Sequence, residues 1–156
     1  MRHVLAPSLV ALVALAAAPR LSAHCQVPCG IYDDAARIQA MLEDVATIEK
    51  AVGQIAELTP PKDALAFNQA SRWVATKEQH ASAIIATVAE YFLAQKLKEP
   101  AAGDDASRAT YVQALVEHHA VMRAAMKAKQ TVDPAAVTAL RTAVETLGKR
   151  WAPPPQ

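Results

Sequence analysis

Glycine is scarce in this chain, with four residues in 156, and so are aromatics, with two Phe, two Trp and three Tyr. No run of alternating apolar and polar residues reads as a strand, so a sheet has nothing to be built from. A dominant charge sign is also missing: 16 Lys and Arg stand against 15 Asp and Glu. A near-neutral balance gives no basis for binding nucleic acid or an anionic membrane surface. There are only two cysteines, Cys25 and Cys29. No internal repeat and no second domain can be found. What the chain has in quantity is Ala, Leu, Val, Glu and Lys, a composition that favours helices.

The apolar periodicity predicts four of them. Ile38, Met41, Leu42, Val45, Ile48, Val52, Ile55 and Leu58 recur at three- and four-residue spacings. Asp33 and Asp34 stand at the start of this helix as an N-cap and a first-turn acid, and Thr59-Pro60-Pro61 stops it. A second helix is predicted from about Asp63 to Lys98, with Phe67, Trp73, Val74, Ala81, Ile84, Ile85, Val88, Tyr91 and Phe92 on its apolar face and a break near Asn68–Ser71. Glu99 to Asp105 reads as a loop. The third helix is expected from near Ser107 to Lys129, its buried side marked by Tyr111, Leu115, Val116, His119, Met122, Ala125 and Met126. Asp133-Pro134 opens a fourth, with Val137, Leu140, Val144, Leu147 and Trp151 facing inward. Four amphipathic helices with short connections imply an all-α fold, an antiparallel four-helix bundle over residues 33–152 with a flexible tail at 153–156.

Ahead of the helices lies an export segment. Met1-Arg2-His3 is a short basic start, Val4 to Ala18 is apolar, and Leu21-Ser22-Ala23 ends in a small residue. This is the layout of a signal peptide covering 1–23, and the apolar run is short for a membrane span. The expected location is therefore exported, periplasmic or extracellular, with no membrane attachment after cleavage. An uncleaved anchor and a lipoprotein are the competing readings; in the latter His24 would intervene before the cysteine to be lipidated.

Cleavage behind Ala23 makes His24 the new amino terminus. Residues 24–32 then read His-Cys-Gln-Val-Pro-Cys-Gly-Ile-Tyr and gather an α-amine, an imidazole and two thiols. The amine, the Cys25 amide nitrogen and the Cys25 sulfur would form two fused five-membered chelate rings, and the Cys29 thiolate would complete two nitrogens and two sulfurs in a plane. That donor set suits Ni(II) or Cu(II) rather than tetrahedral zinc. The His24 imidazole would be left as an axial ligand, and Pro28 and Gly30 let the loop turn compactly. Taken alone, two cysteines in an exported protein favour a Cys25–Cys29 disulfide. Such a small ring removes little chain entropy, however.

His24, Cys25, Pro28, Cys29, Gly30 and Tyr32 together resemble the nickel hook of the nickel-containing superoxide dismutases. So, more weakly, do Asp33 with Ala36-Arg37-Ile38, Arg72 with Lys77-Glu78-Gln79, and Glu90-Tyr91-Phe92. The resemblance implies conversion of superoxide to dioxygen and hydrogen peroxide through a Ni(II)/Ni(III) cycle, one nickel ion per chain. It implies that His24, Cys25 and Cys29 are the metal ligands and that Tyr32 faces the open axial side. It also implies a homohexamer in which neighbours partly cover each hook. Gln39 and His80 stand where members of the family often carry a Glu and an Arg that hold the axial imidazole. They are the candidate supporting residues here, with Glu43 one turn beyond Gln39.

The remaining candidates read more plainly. His118 and His119 are adjacent on one helix, about 100° apart, and make a poor chelate; one is expected packed and the other at a surface or subunit contact. Met41, Met122 and Met126 fall at core spacings. Trp73 and Trp151 read as packing anchors. Two alternative functions remain: a disulfide-stapled helical binding module, and a copper-binding protein.

Overall fold

A computed structural model of the chain describes residues 32–151. His24, Cys25, Cys29, the signal peptide and the tail at 153–156 lie outside the described residues. Within them there are four long helices and no strand. Helix α1 spans Asp34–Glu57 and α2 Ala64–Ala86; α2 runs on without a gap into a π-helical segment, Thr87–Lys96. Helix α3 spans Asp105–Lys129 and α4 Pro134–Trp151.

An aspartate caps each helix. The carboxylates of Asp33, Asp63, Asp104 and Asp133 accept from the amides of Ala36, Ala66, Ser107 and Ala135 at 2.9, 2.7, 3.0 and 2.9 Å. A cap of this kind stabilises by about 1 kcal/mol, and each satisfies an amide that the first turn leaves without a helical partner. The start of α3 predicted near Ser107 is corrected to Asp105 for this reason: Asp104 is the cap, and Ser107 lies inside the first turn it closes.

The helices pack as a ring in which α1 meets α2 and α4, and α3 meets α2 and α4. Cross-links show that every neighbouring pair is antiparallel. Asp34 meets Tyr91 and Asp44 meets His80 between α1 and α2; Lys129 meets Ser82 between α3 and α2; Glu49 meets Arg141 between α1 and α4; Glu117 meets Arg150 between α3 and α4. The core along this ring includes Met41, Val45, Ile48, Ile84, Val88, Phe92, Val121, Leu140, Val144 and Leu147, all buried. Each large apolar side chain there contributes roughly 1.5–3 kcal/mol by leaving water.

Three expectations change. Helix α2 passes through Asn68–Ser71 unbroken, and its irregularity lies at Thr87–Lys96 instead. Phe67, expected in the core, is 63% exposed, and Val74 is exposed as well. Their place is taken by Lys77, 3% exposed, whose ammonium donates to the last carbonyls of α3, Ala128 at 3.1 Å and Lys129. A cation at a helix C-terminus meets carbonyls without helical partners at the negative pole of the macrodipole, so a lysine can outcompete valine for that position. Burial lowers the Lys77 pKa.

The third change concerns α3. Ala114, His118, Val121, Ala125 and Ala128 face the core, whereas Leu115, Val116, His119 and Met126 are exposed. The helix carries two apolar stripes. The bundle takes the one with alanines, because small residues allow α3 to approach its neighbours closely. His118 and His119 divide as expected, one buried and one exposed.

Candidate metal centre

The chain enters α1 at Tyr32, and the surroundings of that residue are the part of the predicted centre within the described residues. Tyr32 is 39% exposed. Its ring meets the edge of Tyr91 with centroids 5.7 Å apart, and the Lys96 ammonium lies 4.6 Å from its centroid. The contact with Lys96 is a cation–π interaction, worth roughly 0.5–1 kcal/mol at an exposed site.

Beneath Tyr32 the first turn of α1 and the π segment are tied together. Asp34 accepts from the Tyr91 hydroxyl at 2.7 Å through one carboxylate oxygen and pairs with Lys96 at 3.0 Å through the other. Arg37 places its guanidinium 5.1 Å from the Tyr91 ring centroid. The wide i→i+5 turns of the π segment carry Tyr91, Phe92 and Lys96 to this end of the bundle. π turns concentrate at functional sites because they re-aim side chains without ending the helix. Burial and the bond to anionic Asp34 push the Tyr91 pKa up to about 12.

Behind this layer lies a second. Phe92 stacks against Trp151, with centroids 5.2 Å apart, and against His118 at 5.6 Å. The Trp151 indole N–H donates to His118 Nε2 at 3.2 Å, so His118 Nδ1 carries the proton and donates to the Ala114 carbonyl at 2.7 Å. His118 is completely buried, and that burial lowers its pKa and keeps the ring neutral. Lys96 also lies 5.8 Å from the Trp151 ring centroid, which joins the two layers.

The supporting residues expected from sequence lie along the α1–α2 face. Gln39 is exposed and its amide donates to Glu43 at 3.4 Å. His80 pairs through Nδ1 with Asp44 at 2.6 Å. Each is thus engaged with an acid of α1, and the two are not bonded to one another. Sequence reasoning missed Asp34, Lys96 and Asp44 as members of these networks. Asp34 carried a signal only as a first-turn acid, and Lys96 and Asp44 carried none, because a partner some sixty or forty residues away cannot be read from local spacing.

Among the described residues no three His, Cys, Asp or Glu side chains converge to hold a metal. The donor set expected from the sequence, His24, Cys25 and Cys29, precedes Tyr32 in the chain and lies outside the described residues. Two thiolates with an imidazole and an amine are soft and borderline donors of the kind that suit nickel. Arg37 Nε is buried and has no hydrogen-bond partner among the described residues, and a buried donor normally has one.

No curated protein and no solved structure matches the chain. The model of one protein family does, the nickel-containing superoxide dismutases, over residues 19–152. That span takes in the cysteine stretch, Tyr32 and all four helices, and the chain belongs to the nickel-containing superoxide dismutase family.

Proposed function

We propose that this chain is an exported superoxide dismutase whose nickel ion is held by His24, Cys25 and Cys29 after cleavage behind Ala23. The observation that supports the reading is the family match across residues 19–152, a span that includes His24, Cys25, Cys29 and Tyr32. The reaction takes two superoxide ions and two protons to dioxygen and hydrogen peroxide. Held there, nickel would supply the one-electron couple that this disproportionation needs, lowered by thiolate and amide donors. The His24 amine and imidazole, the Cys25 amide and the two thiolates are the groups that would hold it.

The chain's own residues do the rest. Tyr32 offers a half-exposed phenol that can order water or a small anion beside the centre. Lys96 contributes positive charge within 5 Å of that ring and so favours an anionic substrate. Asp34 fixes Lys96 and Tyr91, and Tyr91 fixes the Tyr32 ring. Tyr91, neutral up to about pH 12, stays a hydrogen-bond donor at every physiological pH. Gln39 and His80 would support the His24 imidazole through their acid partners, Glu43 and Asp44. Nearby chains in an assembly would shield the hook from bulk solvent.

The test separates this reading from a disulfide staple. A chain that begins at His24 is compared with one carrying a single extra alanine before it. The native terminus is expected to bind about one nickel per chain and to dismutate superoxide, because a free α-amine is one of the donors. The extended chain keeps every side chain yet loses that amine from its place, so nickel content and activity are expected to fall together. A disulfide-linked turn would be indifferent to one added residue. Equal nickel content and equal activity in the two forms would refute the amino-terminal donor set.

A further inference from the structure

One end of the bundle gathers its aromatic rings into a continuous stack. Tyr32 meets the edge of Tyr91, Tyr91 meets Phe92 with centroids 4.9 Å apart, and Phe92 meets Trp151 at 5.2 Å. A single phenyl ring therefore bridges Tyr91 and Trp151. Trp73 and Tyr111 stand apart: among the described residues neither meets another ring.

Packing accounts for the contacts between these rings. It does not account for the choice of partners at their polar ends. Buried phenols and indoles ordinarily find a hydrogen-bond acceptor, most often backbone or water. Here both acceptors are bases. The Tyr91 hydroxyl donates to the Asp34 carboxylate at 2.7 Å, and the Trp151 indole N–H donates to the unprotonated Nε2 of His118 at 3.2 Å. Phenol and indole are oxidisable rings, and each becomes a strong acid once an electron has left it. A bonded base takes the proton as the electron goes. Cations enforce that coupling. The Arg37 guanidinium lies 5.1 Å from the Tyr91 centroid and the Lys96 ammonium 5.8 Å from the Trp151 centroid. A ring that kept its positive charge would be repelled by its neighbour, whereas a deprotonated, neutral radical is not.

We infer that Tyr91 is a redox-active tyrosine on which an oxidising equivalent that enters the stack at Trp151 comes to rest. The oxidant is an oxygen-centred radical, a class that arises from hydrogen peroxide, the product of this family's reaction. It takes one electron from the half-buried Trp151 ring and leaves as its anion, while the indole proton passes to His118 Nε2. The indolyl radical then takes one electron from Tyr91 across Phe92. The proton on His118 returns to the indole nitrogen, and the phenolic proton passes to Asp34. The net change is one electron lost by Tyr91 and one proton gained by Asp34. A phenol whose proton has a base to go to is easier to oxidise than a neutral indole, so the step runs toward Tyr91. Tyr91 is 1% exposed, which shields its radical from coupling with another molecule.

The inference stands apart from the donor set ahead of Tyr32, and its test needs no metal. The full mature chain is made with Cys25→Ser, Cys29→Ser and Trp73→Phe, which removes competing thiols and leaves Trp151 as the only indole. Pulse radiolysis in azide solution generates azidyl radicals, which oxidise indoles faster than phenols at neutral pH. The indolyl absorption is expected to decay as the phenoxyl absorption grows, at a first-order rate independent of protein concentration. Adding Tyr91→Phe, which keeps the ring stack, is expected to lose that phase, and adding Tyr111→Phe to leave it unchanged. Asp34→Asn keeps a hydrogen-bond acceptor but removes the base, so it is expected to slow the transfer. Far-UV circular dichroism checks that each variant retains its helices. No phenoxyl growth, a rate that scales with protein concentration, or an unchanged rate in Tyr91→Phe would overturn the inference. An unchanged rate in Asp34→Asn would overturn the part given to Asp34 as proton acceptor.

Discussion

Asp34 is the residue whose loss the structure says most about. It joins the first turn of α1 to the π segment by two bonds, to the Tyr91 hydroxyl and the Lys96 ammonium. In Asp34→Ala the Tyr91 hydroxyl, at the end of a side chain that is 1% exposed, loses a charge-assisted bond. Such a bond is worth about 1.5–3 kcal/mol. The half-buried pair with Lys96 adds about 0.2–1 kcal/mol, and a first-turn acid about 0.3–1 kcal/mol. The expected destabilisation is on the order of 2–5 kcal/mol, read from urea unfolding at one fixed protein concentration. A second readout is specific to the contact. Burial, the largest cause, survives the substitution, but the bond and the charge of Asp34 do not, so Tyr91 should titrate below its present value of about 12 yet above an ordinary tyrosine. The sign follows from linkage. A folded-state pKa above the unfolded value stabilises the fold fully below the unfolded pKa, and that stability is lost as pH rises through about 12. The titration is followed at 295 nm after a rapid pH jump, before unfolding. Nickel content should be retained, because the proposed ligands precede α1, while activity should fall as Lys96 and Tyr32 lose their support. An unchanged tyrosine titration, or a stability loss below about 0.5 kcal/mol, would refute the coupling.

Other expectations can be checked more briefly. Gly53 is an exposed mid-helix glycine with open space around its absent Cβ, so Gly53→Ala should stabilise by about 0.5–1 kcal/mol in thermal unfolding. At Gly148 the same Cβ would lie 3.0 Å from Ile38 in the core, so Gly148→Ala should gain less than Gly53→Ala or destabilise; equal gains at both positions would argue against that contact. Trp151→Phe keeps the ring stack but leaves His118 Nε2 buried without its donor, a cost of about 1–3 kcal/mol by denaturation. The lowered His118 pKa stabilises the fold fully above the unfolded value near 6.5, and that contribution is lost as pH falls toward the folded value; a His118→Gln variant should show a flatter acid limb in its stability profile.

The sequence determined the elements of this protein because those follow from local chemistry. Scarce glycine, spaced apolar residues and four aspartates at helix starts fix four helices and their ends to within a few residues. The proposed donor stretch at 24–32 rests on the same kind of local reading, since its candidate donors are neighbours in the chain. Tertiary structure decided which of two apolar stripes on α3 enters the core, since periodicity marks both and only the space between α2 and α4 chooses the one with alanines. It decided that Lys77 is buried and Phe67 is not, because the carbonyls that receive the lysine belong to a helix some fifty residues away. It also assembled Asp34, Tyr91 and Lys96 under Tyr32 through turns of five-residue pitch that no single-residue signal announces. Side chains from distant parts of the chain meet only after the helices have packed, so their partnership is a property of the fold and not of any segment.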